Sequence, residues 1–190
     1  MPAPHVRTVG ELLYWAYANL AMAHVAVAEG ADEYDRTHFM IRSRLFKGLT
    51  EGAMDLGALV EDERLKLRLP QACCYCGSRE HLAADHLISR KNGGLDVGDN
   101  LIWACRSCNS SKGPLDLMVW MERTCSFPSL LLLRRYLKLA IGMCRDRELM
   151  DRPLQEADGH DLPFDIGRTP VNFPAPIGLR LWVTPLDRIS

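Results

Sequence analysis

CCYCGSREHLAADHLISRKNGGLDVGDNLIWACRSCNSSKG, residues 73–113, is the stretch on which the fold turns. It sets Cys73-x-x-Cys76 at one end and Cys105-x-x-Cys108 at the other. Two such knuckles point to tetrahedral zinc, which favours thiolates and fills all four positions in a structural site. The x-x spacing lets both sulfurs of a knuckle reach one ion without strain, so Cys74 is read as a bystander, although Cys74-x-Cys76 is also conceivable. Between the knuckles, HLAADHLI and NLIWAC read as two short strands joined by the turn SRKNGGLDVGD. RSCNSSK then opens a helix that Gly113-Pro114 stops. So little regular structure cannot bury enough surface to hold itself together. A structural zinc, contributing on the order of 10 kcal/mol, would supply what the core lacks.

The flanks have a different character. Thr8-Val9-Gly10-Glu11 has the T-x-x-E form of a capping box, and Leu12, Leu13, Ala16, Leu20, Ala23 and Val27 follow at helical spacing until Gly30. A second helix is expected over 33–50 and a third over 54–69, ending at Pro70. Arg42, Arg44 and Lys47 lie on the second and are read as its solvated face rather than as phosphate contacts. LDLMVWMER reads as a packed helix, and Ser126 and Pro128 are expected to open a long one through residue 149. Beyond Pro153, recurrent prolines forbid long regular structure. The chain is therefore expected to divide into a helical region (1–70), a zinc-clamped core (71–122), a packing helix (123–150) and an extended proline-rich tail (151–190).

Composition restrains the partners very little. The 190 residues are 47% hydrophobic and 25% charged, with a net charge of −1, so no overall basic field advertises nucleic acid. Residues 71–113 carry five Lys/Arg against four Asp/Glu, and any nucleic-acid reading must rest on local arrangement. Of seven cysteines, five fall within 73–108, which favours metal binding in a reducing compartment over a secreted disulfide framework. Cys125 and Cys144 are read as core residues. The apolar run LLYWAYANLAMAHVAVA (12–28) is interrupted by Asn19 and His24 and lacks a basic leader, so it is read as a buried helix and the protein as cytoplasmic, with no membrane segment.

Asp85-His86, followed by Arg90-Lys91 and Gly93-Gly94, suggests a site that handles an anion. Five elements occur in order: a leading CxxC, Asp-His closing the first strand, a Gly-Gly turn, Asp-Asn-Leu opening the second strand, and C-x-x-C-N-x-x-K entering the helix. Together they resemble the HNH endonucleases, the ββα-metal nucleases. With the N- and C-terminal helices already read from periodicity, the chain is expected to be α+β and mainly helical, its small zinc-stabilised ββα-metal core being what the resemblance implies. The resemblance also implies His86 as general base, Asp85 and Asn109 as ligands of a catalytic Mg²⁺ or Mn²⁺, and Asn100 as the residue that ties the loop and aims the histidine. The substrate class it implies is DNA, with RNA not excluded, cleaved to a 5′-phosphate and a 3′-hydroxyl. Arg90, Lys91, Arg106 and Lys112 then stand where a phosphate backbone would pass.

The chemistry agrees with these assignments. Phosphodiester cleavage needs an in-line water, a base for its proton, and positive charge on the developing phosphorane and leaving oxygen. A neutral imidazole, with an ordinary pKa near ~6.5, suits the first need. Oxygen ligands from Asp and Asn suit Mg²⁺. One geometric condition follows: strand neighbours point to opposite faces, so Asp85 and His86 can share a site only where the strand ends or kinks. His81 is a weaker zinc-ligand candidate, and His5, His24, His38 and His160 are read as having no part in the site. The competing reading is a zinc-stabilised nucleic-acid-binding or protein-interaction module without catalysis. The helical flanks could join two copies into a homodimer.

Overall fold

A computed structural model of the chain describes residues 6–57, 59, 64, 69, 71–157 and 162–184. Helix α1 spans Val9–Glu29. Thr8 Oγ1 accepts the Glu11 N–H at 3.2 Å, as the capping motif predicts, whereas the Glu11 carboxylate accepts from Arg7 N–H, one residue early. Gly30 ends the helix in the left-handed region, at φ 72°, where a side chain would be strained. Helix α2 covers Arg36–Thr50 and starts later than the sequence suggested, because Asp35 and His38 form a reciprocal capping box. The third helix expected over 54–69 lies largely outside the described residues, as do His5 and His160.

The alanines of α1 let its neighbours approach closely, and Ala16, Ala18, Ala23 and Ala26 are fully buried. Arg42 of α2 is buried too, with its guanidinium over the Trp15 and Phe39 rings and a hydrogen bond to Asn19 Oδ1 at 3.1 Å. It is therefore part of the α1–α2 packing rather than of a solvated face.

The middle of the chain folds as strand, loop, strand, helix. Strands β1 (Leu82–His86) and β2 (Leu101–Cys105) pair antiparallel, in a register running from Leu82↔Cys105 to His86↔Leu101. Helix α3 (Arg106–Lys112) follows directly, then α4 (Leu117–Arg123), capped by the Asp116 carboxylate, and the long α5 (Leu130–Asp146). Among the described residues the chain is thus mainly helical, with one two-stranded sheet. One cluster of buried apolar side chains runs from Val9 through Cys73, Ile102 and Leu137 to Phe164, so the middle shares its core with both flanks.

Among its described residues the tail holds only short 3-10 turns, as its prolines require. It does useful structural work, however: the Leu130 and Leu131 amides, at the start of α5, donate to the Arg180 and Leu181 carbonyls at 3.0 and 3.1 Å. Backbone supplied from the tail thus satisfies amides that no helix can satisfy itself. Ser126 does not open α5, as expected from sequence; its hydroxyl lies 2.8 Å from Thr124 Oγ1, and Ser129 occupies the cap position. Cys144 is buried as expected, but Cys125 is exposed, in a left-handed turn (φ 49°) that begins once α4 has ended. No helix of the described residues is long and apolar enough to cross a membrane.

Candidate functional site

Cys73, Cys76, Cys105 and Cys108 converge, with their sulfurs all within 4.8 Å of one another. The Cys76–Cys105 separation of 3.7 Å is far too long for a disulfide. It matches the ~3.8 Å edge of a tetrahedron whose corners lie about 2.3 Å from a central zinc. Cys74 stands outside the cluster; its side chain is buried and its amide donates to Trp103 O at 2.8 Å, which fastens the first knuckle to β2. The Cys108 N–H donates to Cys105 Sγ and brings that thiol down to about 7, while burial pushes the thiols of Cys76 and Cys108 up. Four sulfurs this close cannot all ionise unless a cation sits among them. His81 is exposed and outside the cluster. The donor set and its spacing fit a zinc ion.

Immediately behind the first knuckle lies Asp85. Tyr75, between Cys74 and Cys76, donates its hydroxyl to Asp85 Oδ2 at 2.6 Å, and Lys112 Nζ reaches the same oxygen at 3.2 Å. Burial, then the Asp85 charge, pushes the Tyr75 phenol far above its ordinary range, so it remains a donor. Lys112 is 1% exposed and also donates to the His86 carbonyl at 2.9 Å. Its ammonium therefore faces inward, which corrects the expectation that it contacts a phosphate. Breaking a buried pair strands the remaining charge, so Lys112→Met is expected to destabilise the fold by about 3–5 kcal/mol. Arg90→Ala, at an exposed position, should change stability by less than about 0.5 kcal/mol. Urea denaturation of the two variants checks the contrast.

Strand β1 ends at His86, and the two neighbouring side chains take different directions there. Asp85 turns inward, while His86 is one-quarter exposed and its Nε2 lies 2.9 Å from Asp96 Oδ1. A carboxylate only accepts, so the shared hydrogen belongs to Nε2, and in the neutral ring Nδ1 keeps a bare lone pair. Asn100 is buried and locks the loop between the strands: Oδ1 accepts the Ile88 N–H at 2.8 Å, and Nδ2 donates to Ile88 O at 2.8 Å and Leu95 O at 2.9 Å. The loop closes so tightly that a Cβ on Gly94 would lie 1.9 Å from Ile88 O, which explains the second glycine. The first, Gly93, sits at φ 86°.

Asn109 lies on α3 one turn before Lys112, so both occupy the same helix face, the face from which Lys112 reaches the end of β1. Its carboxamide has no hydrogen-bond partner among the described residues, and neither does Asp85 Oδ1. These two oxygens suit a hard cation such as Mg²⁺. Arg90 and Lys91 are exposed near this end of the sheet, whereas Arg106 is exposed at the opposite end, where its amide donates to His81 O at 3.1 Å.

Sequence reading passed over three residues of the site. Tyr75 was hidden as the x of a knuckle, and Asp96 as a turn residue. Arg135 was read as part of a packing helix; it is buried and donates from Nε to Asp99 O at 2.6 Å and from Nη2 to Gly98 O at 3.0 Å, holding the turn that carries Asn100. A long, cationic side chain on the apolar face of α5 was the available signal.

Comparison with known families matches residues 73–115 to the model of the HNH endonucleases. No curated protein and no solved structure matches the chain at a significant level. The matched residues coincide with the two knuckles, the β1–loop–β2 unit and α3, and residues 73–115 are accordingly an HNH endonuclease domain, carrying a four-cysteine cluster that could hold zinc, within a mainly helical chain.

Proposed function

We propose that the chain is a metal-dependent endonuclease that hydrolyses phosphodiester bonds of DNA, with His86 as general base. The observation that carries this reading is the His86–Asp96 pair: the carboxylate fixes the ring and its tautomer and leaves Nδ1 as the proton acceptor, as an orienting carboxylate does for catalytic histidines generally. Asp85 and Asn109 would hold Mg²⁺ or Mn²⁺, which when bound supplies positive charge to the phosphorane and the leaving oxygen. His86 removes the proton from the attacking water, and Asn100 keeps the loop closed so that the ring stays aimed. Arg90 and Lys91 bind phosphates beside the site, and Arg106, at the far end of the sheet, a more distant one. The four cysteines hold a structural zinc as thiolates, which fits a reducing compartment such as the cytoplasm. One copy would nick a duplex, whereas two copies joined through the helical flanks would cut both strands.

A second reading, a zinc-stabilised binding module without catalysis, draws support from Lys112, whose ammonium already balances the Asp85 charge. An end-labelled DNA duplex incubated with the chain and Mg²⁺ separates the two. The nuclease reading expects fragments bearing 5′-phosphate and 3′-hydroxyl ends. Retardation of an intact duplex supports the binding module, and cleavage of RNA alone would reassign the substrate.

A further inference from the structure

We infer that Tyr75 is a positioning residue for the catalytic cation: it links the zinc knuckle to Asp85 and reserves one carboxylate oxygen for that cation. The inference rests on the reading of Asp85 as a metal ligand. Tyr75 is locked on three sides. Cys73 and Cys76 of the cysteine cluster bracket it in the chain. Its ring meets the Trp120 indole edge-on, with centroids 4.9 Å apart, and its carbonyl accepts from Arg180 of the tail at 3.3 Å. With the ring fixed, the hydroxyl donates to Asp85 Oδ2, at 2.6 Å. Lys112 takes the same oxygen from the opposite element, α3. Two donors on Oδ2 leave Oδ1 without a protein partner among the described residues, so Asp85 binds a cation through one oxygen in a fixed direction.

The consequence is a linkage between two metal sites that share no ligand. Zinc orders the knuckle, the knuckle places the phenol, and the phenol orients the carboxylate. Partners behind a ligand typically alter metal affinity by about 10–100-fold, so Tyr75→Phe is expected to weaken divalent-cation binding about tenfold. The phenyl ring can keep its packing on Trp120, and zinc content should stay at the wild-type value.

The test is titration of the full-length, zinc-loaded chain with Mn²⁺ in the absence of nucleic acid, with the free ion read from its electron paramagnetic resonance signal. Wild type, Tyr75→Phe and Asp85→Asn are compared. The expected order is specific, saturable binding by wild type, about tenfold weaker binding by Tyr75→Phe, and no specific binding by Asp85→Asn. Wild-type affinity in Tyr75→Phe, with binding lost in Asp85→Asn, would overturn the Tyr75 role and leave the Asp85 reading standing. Wild-type affinity in Asp85→Asn would overturn that reading, and the inference with it. Should Tyr75→Phe lose its zinc, Arg180→Ala is titrated instead, because it releases the Tyr75 carbonyl from outside the core. Weaker Mn²⁺ binding there supports the linkage, and unchanged affinity contradicts it.

Discussion

Replacing Cys108 by serine is expected to release the zinc and unfold residues 71–113. The sheet has two strands of five residues each, and α3 has seven, too little surface to fold without a clamp. Zinc binding by a four-ligand site contributes on the order of 10 kcal/mol, comparable with the entire stability of an ordinary domain, about 5–15 kcal/mol. Losing one sulfur opens a corner of the tetrahedron to water, and the ion is held less tightly. The disturbance should spread, because Cys73, Cys74, Tyr75 and Cys105 belong to the same buried cluster as α1 and α5. Two controls are built into the chain: Cys74→Ser and Cys125→Ser remove cysteines outside the cluster and should keep one zinc per chain. Elemental analysis and circular dichroism of the three variants check the expectation. A Cys108→Ser chain that retains stoichiometric zinc and wild-type ellipticity would contradict it.

His86→Ala carries the second large effect, on rate rather than stability. The ring is partly exposed and its side-chain hydrogen-bond partner among the described residues, Asp96, is exposed, so its removal leaves no buried group unpaired and should alter stability little. A positioned general base contributes about 10²–10⁴-fold, and single-turnover cleavage by His86→Ala should fall by that factor while duplex binding persists. Asp96→Ala should lower the rate less, since it frees the ring without removing the acceptor. A variant with the wild-type rate constant and wild-type fold would remove His86 from the mechanism.

Much of this arrangement was legible in local sequence. The knuckles, both strands, the Gly-Gly turn and α3 are specified by residues close together in the chain, because zinc ligation, strand alternation and turn chemistry are local constraints. The Asn100 environment follows the same logic, since a carboxamide between a turn and a strand has only the loop to bind. Long-range partners were not legible. Nothing about Lys112 as a residue distinguishes an ammonium that faces solvent from one that meets Asp85 across the sheet. Arg42 was misread for the same reason, its helix position implying solvent while Trp15 and Asn19 of α1 enclose it. The tail showed its irregularity through its prolines, but its capping of α5 is a backbone interaction carried by no side-chain pattern. Arg135 escaped because helical periodicity counts apolar positions and passes over a cation buried among them.

On the proposed function, this chain cleaves DNA with a bound divalent cation and His86 as base. The most direct test is relaxation of supercoiled plasmid by wild-type and His86→Ala chains, both zinc-loaded, with Mg²⁺ or Mn²⁺ and again with EDTA in excess of the added cation. Nicked or linear product is expected with the wild type and added cation alone. Equal cutting by His86→Ala, full activity in EDTA, or intact plasmid after incubation with folded, zinc-loaded wild type would contradict the proposed function.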